Sequence, residues 1–162
     1  MLIAVISDTH LPRGRRQLPE DCVERLRDAD LILHAGDFIS ASALAEIDSI
    51  GPPLAGVHGN VDDEMVRRAL PASRIVNAGD VRIAMTHDAG PAQGRLARLR
   101  GRFPEADAVV FGHSHIPLQE EAEGFQIFNP GSPTDRRRSP QHTMGLARVE
   151  GGRIEFVLVT VG

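Results

Sequence analysis

The chain of 162 residues has one cysteine, no tryptophan, no tyrosine and six phenylalanines. With Cys22 alone, an internal disulfide and a thiolate-built zinc knuckle are both excluded, and nothing calls for an oxidising compartment. A cytoplasmic location is the expectation. Cys22 lies in a helical stretch and reads as a small core residue. So few aromatics leave no stacking platform for single-stranded nucleic acid. No apolar run approaches the roughly 18 residues that cross a bilayer. The opening stretch Leu2–Ile6 is too short, and too poor in basic residues, for a signal peptide, and reads as a first strand. The formal net charge of -4 argues against nucleic acid or an anionic membrane held through bulk charge. A phosphate-bearing substrate stays open, because bound cations would reverse the local field.

What is present fits one globular domain over residues 1–162, with 41% hydrophobic and 25% charged residues. The apolar runs are short and rich in Val and Ile. Leu2–Ile6, Leu31–Leu33 and Leu54–Val57 read as strands. Helices are expected from Glu20, over Ala41–Ile50 and over Asp62–Leu70, the first opened by Pro19 with acidic residues at its positive end. Ile75-Val76 and Val81–Met85 flank a turn and read as a hairpin. Gln93–Leu99 reads as a basic helix stopped near Gly101, and Ala108–Phe111 as a buried strand. Leu118–Glu121, Phe125–Phe128, Met144–Glu150 and Ile154–Val161 read as further strands. Alternation of strand and helix followed by strands alone predicts a mixed sheet, or two packed sheets with helices outside.

Polar clusters follow five of these strands. They are Ser7-Asp8-Thr9-His10, His34-Ala35-Gly36-Asp37, His58-Gly59-Asn60-Val61-Asp62, Thr86-His87-Asp88 and Gly112-His113-Ser114-His115. Open α/β sheets bind ligands at the C-terminal ends of their strands. Any one such cluster is as readily a turn or a cap; five delivered to one edge point to a site. Mixed imidazole and carboxylate suits Mn, Fe, Zn, Ni or Co. The donors are too many for one tetrahedral ion, and two ions sharing a carboxylate suit phosphate-ester hydrolysis.

Asp-x-His, Gly-Asp, Gly-Asn-x-Asp, a single His and Gly-His-x-His, in that order, resemble the calcineurin-like metallophosphoesterase superfamily. Asn129-Pro130-Gly131-Ser132 and the short length look like its small YfcE-like phosphodiesterase branch. The resemblance implies a four-layer α/β/β/α sandwich of two mixed sheets. It implies that Asp8, His10 and His115 bind one divalent ion, that Asn60, His87 and His113 bind the other, and that Asp37 bridges them. Manganese would be the favoured metal. A hydroxide shared by the ions would attack phosphorus in line, with Asp37, Asn60 and His115 the catalytic positions and Asn60 touching a phosphate oxygen. The activity expected is hydrolysis of a phosphodiester. A phosphomonoesterase acting on a nucleotide or small metabolite is the alternative. A non-catalytic scaffold, which the retromer subunit of this fold looks like, is the rival from another class, and a homo-oligomer is left open.

The chain departs from the wider superfamily at Val61, where a His serves as general acid in members that cleave protein phosphates. Valine cannot donate a proton, so a slow enzyme or a good leaving group is expected. His58 lies close by in sequence. Asp88 stands where the branch often has a small residue, and either hydrogen-bonds a ligand imidazole or faces solvent. His34 reads as a core or supporting histidine and His142 as a surface one. Arg13, Arg15 and Arg16, with Arg136, Arg137 and Arg138, sit in two loops that either flank the site or are merely solvated. Arg95, Arg98 and Arg102 read as a solvent-facing helical stripe.

Overall fold

The computed structural model describes all residues from Met1 to Gly162. The strands are β1 (Leu2–Ile6), β2 (Leu31–His34), β3 (Leu54–Gly56), β4 (Ser73–Ala78), β5 (Val81–Thr86), β6 (Ala108–Val110), β7 (Leu118–Ala122), β8 (Phe125–Asn129), β9 (His142–Glu150) and β10 (Arg153–Val161). The helices are α1 (Glu20–Arg27), α2 (Ala41–Asp48), α3 (Glu64–Ala69) and α4 (Arg95–Arg102). They form two five-stranded mixed sheets, one ordered β10-β9-β1-β2-β3 and the other β4-β5-β6-β8-β7. In the first, β1, β2 and β3 run parallel and β9 returns antiparallel beside β1. In the second, β5, β6 and β8 run parallel, with the antiparallel β4 and β7 at the edges.

Strand alternation sorts the apolar residues into three cores. Ile3 and Val5 of β1 face inward, meeting Ile83 and Met85 of β5 and Val110 of β6 in the core between the sheets. Phe128 and Phe156 stack across this core with ring centroids 4.6 Å apart. Ala4 and Ile6, the alternate residues of β1, face outward against Cys22 and Leu26 of α1, Ala43 and Ile47 of α2 and Val66 of α3. On the outer face of the second sheet, Ala84, Val109 and Ile127 pack on Leu99 of α4 and on Phe103. The result is the expected α/β/β/α sandwich. A parallel strand buried on both faces must be apolar at every position, which is why the central strands read as continuous runs.

The helix ends differ from the sequence expectation in one place that matters. The stretch Asp62–Leu70 does not begin its helix at Asp62: Asp63 is the N-cap, its carboxylate accepting from the Val66 N–H at 2.9 Å. An acid at either position would satisfy the local pattern. Placing the cap at Asp63 leaves Asp62 free to bond elsewhere. Likewise α2 ends at Asp48, short of Ile50, while α4 starts at Arg95 and runs through Gly101 to Arg102. The hairpin closes on Gly79-Asp80, with Asn77 and Ala78 still paired in β4.

Candidate metal centre

The parallel strands β1, β2 and β3 of one sheet and β5 and β6 of the other end at a common edge, and each is followed by one polar cluster. Backbone hydrogen bonds tie the loops together. Asp8 N–H donates to Gly36 O at 2.9 Å, His10 N–H to Asp37 O at 3.0 Å and Gly112 N–H to His87 O at 3.0 Å. The bonds from His87 Nδ1 to Ala35 O at 2.8 Å and from the His113 N–H to Asp8 Oδ2 at 3.0 Å cross between the sheets, so the edge is one framework built from both.

All seven side chains anticipated from the sequence converge there. Asp8, His10 and His115 offer ligand atoms within 4.8 Å of one another, and so do Asp8, Asp37 and His87. His115 Nε2 lies 3.4 Å from Asp8 Oδ1. Asp37 Oδ2 lies 3.5 Å from His10 Nε2 and 3.2 Å from His87 Nε2, and so stands between the two groups. Asn60 Oδ1 is 3.1 Å from His87 Nε2 and 3.0 Å from His113 Nδ1. Asp8, His10, Asp37, His87 and His115 are buried, whereas Asn60 and His113 are exposed.

In each carboxylate one oxygen takes the shorter protein hydrogen bonds and the other faces the imidazoles, although the His113 N–H also reaches Asp8 Oδ1 at 3.2 Å. Asp8 Oδ2 accepts from Ser7 Oγ at 2.7 Å and from His113 N–H at 3.0 Å. Asp37 Oδ1 accepts from Val61 N–H at 3.1 Å, which leaves Oδ2 for His10 and His87. The rings are oriented in the same manner. His87 Nδ1 donates to Ala35 O at 2.8 Å and His115 Nδ1 to Asp135 O at 2.5 Å, so both present Nε2 to the centre. Backbone acceptors behind ligand histidines commonly fix the tautomer in this way. His115 Nε2 and both ring nitrogens of His10 are buried without a hydrogen-bond partner. Buried polar atoms seldom go unsatisfied, and a divalent cation is what carboxylate oxygens and imidazole nitrogens aimed at one another would satisfy.

The electrostatics agree. Burial raises the Asp8 carboxyl to about 6, against smaller opposing effects from His87 and Ser7. Burial acts on Asp37 in the same sense but is outweighed by the adjacent His10 and His87 imidazoles and the Val61 N–H, which hold it well below the usual carboxylate range. His87 loses by burial and gains more from Asp37 and Asp8, so its pKa is raised. Burial lowers His115 to about 4, with Arg137 acting in the same direction.

Five of the seven residues adopt left-handed backbone: φ is 55° at Asp8, 47° at His10, 63° at Asp37, 72° at His113 and 59° at His115. Non-glycine residues avoid this region, at a cost of order 1 kcal/mol or more each, and persist there where the surroundings over-determine them. Local preference alone would not choose these conformations. Two glycines permit the crowding. A Cβ on Gly59 would lie 2.0 Å from Asp37 Oδ1, and one on Gly112 would lie 1.9 Å from Ser7 Oγ and 2.6 Å from Asp8 Oδ2.

Sequence reasoning quoted Asp62 within a motif but gave it no task. It is buried, and its carboxylate accepts three backbone N–H groups: Asp37 at 3.0 Å, Ile39 at 2.6 Å and Gly59 at 2.7 Å. It therefore clamps the Asp37 loop to the Asn60 loop. Ser132 Oγ donates to Asp8 O at 2.8 Å, and Asn129 Nδ2 donates to Gly112 O at 3.0 Å, so the Asn129–Ser132 segment braces two of the site loops. The local signal for Asp62 was a carboxylate three residues after a glycine at a strand end, which a simple turn shares.

His34 is fully buried, stacked on Phe38, with Nε2 3.0 Å from Thr9 Oγ1 and Nδ1 accepting from Gly36 N–H, and it supports the centre without entering it. Asp88 is exposed and its carboxylate accepts from Gly90 N–H at 2.7 Å, a local turn with no bond to an imidazole. Cys22 is buried in the core, as anticipated. His142 is half-buried at the start of β9. Arg16 bridges the two arginine loops through Asp135 at 3.1 Å. The helical stripe holds at Arg98 and Arg102, which are exposed and line an open groove shared with His87 and Asn60, whereas Arg95 is half-buried, lying over the Phe111 ring and bonding Gly90 O.

The fold and the paired Asp/His clusters define a metal-site phosphoesterase architecture. The profile of the calcineurin-like phosphoesterase superfamily domain matches residues 1–152, and the chain belongs to that superfamily. It is 35% identical to a probable metallophosphoesterase of Methanothermobacter thermautotrophicus, over 100% of this chain and 94% of the relative. It is 24% identical to a phosphodiesterase of Methanocaldococcus jannaschii, covering 81% of this chain and 83% of that one. Among solved structures it is similar to Vps29 of Entamoeba histolytica complexed with zinc, with a TM-score of 0.78 at 21% identity over 99% of both chains. That likeness establishes the fold alone. No helix is long and apolar enough to cross a membrane.

Proposed function

We propose that this chain is a dinuclear metal-dependent phosphodiesterase, with manganese the first ion to try. Asp8, His10 and His115 would hold one ion, Asn60, His87 and His113 the other, and Asp37 would bridge them. The observation that carries this reading is the convergence of Asp8, His10, Asp37, His87 and His115, with Asn60 and His113 beside His87, around buried imidazole nitrogens that have no hydrogen-bond partner. The Methanocaldococcus relative, named a phosphodiesterase, supports the choice of ester. When bound, a pair of divalent cations activates water and offsets the negative charge of the phosphate.

The residues of the chain supply the rest. Asn60 and His113 are the exposed members, so the phosphate approaches from their side, and Asn60 Nδ2 is left to donate to a phosphate oxygen. Val61 contributes its N–H to Asp37 while its exposed isopropyl group can transfer no proton. Leaving groups that need no protonation therefore react fastest. Intact donors at all seven positions disfavour a purely architectural role, which needs none of them.

The test is hydrolysis of bis(p-nitrophenyl) phosphate and p-nitrophenyl phosphate by metal-stripped protein with and without Mn²⁺, using Asp37→Asn as the blank. Diester cleavage that requires metal and Asp37 supports the reading. Cleavage of the monoester alone would reassign the protein as a phosphomonoesterase. No metal-dependent cleavage of either, with Mn²⁺, Co²⁺, Ni²⁺ or Zn²⁺, would overturn the enzymatic reading.

A further inference from the structure

Beside the Asn60–His87 side of the centre lies a groove of about 510 Å³ whose walls carry Arg67, Arg98 and Arg102. The chain has a formal net charge of -4, yet none of these three guanidinium groups forms an ion pair. The pairs made by lysine or arginine elsewhere are Arg16–Asp135, Arg68–Glu64 and Arg100–Glu123. The one acid in the groove, Asp88, spends its Oδ1 on the Gly90 N–H. Three guanidinium groups against one carboxylate leave the groove net positive next to the centre.

Two of the arginines are braced by backbone. Arg67 Nε donates to Asp62 O at 2.8 Å and Nη2 to Asn60 O at 2.7 Å, which directs the guanidinium from α3 onto the Asn60 loop. Arg98 donates to Gln93 O at 3.2 Å, Ala89 O at 2.7 Å and Pro91 O at 2.6 Å, across the loop that follows His87. Arg102 sits one turn beyond Arg98 on α4, its guanidinium 5.0 Å from the Phe103 ring centroid and engaged in no hydrogen bond. Carbonyls that hold a guanidinium leave its charge intact and lower the entropy lost when it binds an anion. A planar multi-donor cation of this kind suits phosphate oxygens.

We infer that this groove binds a second phosphate, carried on one ester arm of the substrate, so that the preferred substrates are phosphodiesters bearing an additional phosphomonoester, of the nucleotide type. The inference rests on the phosphodiesterase reading above. Hydrolysis would consume one water, break one P–O bond at the diester and release an alcohol and a phosphomonoester. The second phosphate is held and stays uncleaved.

The experiment compares the dinucleotide TpT with pTpT and TpTp, under Mn²⁺, for wild type, Arg102→Ala, Arg98→Ala/Arg102→Ala and Arg100→Ala. Arg100 pairs with Glu123 away from the groove and serves as the control. Wild type and Arg100→Ala should cleave one phosphorylated dinucleotide roughly tenfold more efficiently in kcat/KM than TpT, the scale of one or two charge-assisted hydrogen bonds. Arg102→Ala should lose most of that ratio, and the double variant nearly all of it. The ratio is internal to each variant, so partial loss of folded protein does not affect it. Equal rates for the three substrates in wild type, or a preference that survives in the double variant, would overturn the inference. Hydrolysis of bis(p-nitrophenyl) phosphate in the same samples separates failure of this groove from failure of the phosphodiesterase reading.

Discussion

Asp37 Oδ2 lies 3.2 Å from His87 Nε2, and the two residues come from different sheets, Asp37 following β2 and His87 following β5. This contact joins the two halves of the sandwich at the point where the donor groups meet. Asp37→Asn keeps the volume and removes the charge on which both groups depend. The expected outcome is a loss of metal-dependent diester hydrolysis of at least about 10³-fold, equivalent to ~4 kcal/mol of transition-state stabilisation. Metal content, measured by elemental analysis of the folded variant, should fall below two ions per chain.

Asp62 should matter almost as much although it touches no donor side chain. Asp62→Ala strands three backbone N–H groups, those of Asp37, Ile39 and Gly59. Leaving buried donors unpaired costs about 1–3 kcal/mol each. Chemical denaturation should show a loss of several kcal/mol, and metal affinity should drop by roughly 10–100-fold as the two loops part. A variant as stable and as metal-competent as wild type would show that the clamp is dispensable.

Two glycines make a contrasting pair. Gly112→Ala drives a Cβ to 1.9 Å from Ser7 Oγ and 2.6 Å from Asp8 Oδ2, whereas a Cβ on Gly101 in α4 meets nothing within 4 Å. Gly112→Ala should therefore displace Asp8, weaken metal binding and lower stability by about 1–3 kcal/mol. Gly101→Ala should stabilise by about 0.5 kcal/mol through helix propensity. Thermal melts with and without metal distinguish the two effects.

His34 gives a pH signature. Burial lowers its pKa from 6.5 to about 3 in the folded protein, with His87 adding to the shift. The unfolded chain therefore binds its proton first. The contribution is fully present above about pH 6.5 and is lost as pH falls towards the folded value near 3. Relative to His34→Gln, the wild type should lose about 3 kcal/mol between pH 7 and pH 4 in urea titrations of metal-free protein. A pH-independent difference between the two would mean that His34 titrates normally.

Much of this was legible from residue order. The strand runs and the five clusters could be named because a buried parallel strand must be apolar throughout and its C-terminal end must turn polar; the seven side chains within them were implied by the resemblance of the motif order to the superfamily. The helix boundary at Asp62-Asp63 could not, because two adjacent acids satisfy the same capping pattern and only the distant Asp37 loop distinguishes them. That the exposed arginines of α4 border the site was hidden for a related reason. A solvated helical stripe shows no site until the opposite wall, here Arg67 and the Asn60 loop, is in place.

The sequence by itself determined which chemistry is available: carboxylates, imidazoles and an amide at strand ends, no thiolate beside them, and valine where a proton donor could stand. Only the tertiary structure decided how those groups face one another. Left-handed backbone at Asp8, His10, Asp37, His113 and His115 is locally unfavourable for each residue. It is imposed by hydrogen bonds among loops from two sheets, through Gly36, Asp62, Ser132 and Asn129. Those partners are far apart in the chain, so the energy that orients the donors is set by long-range packing, which local residue preferences do not encode.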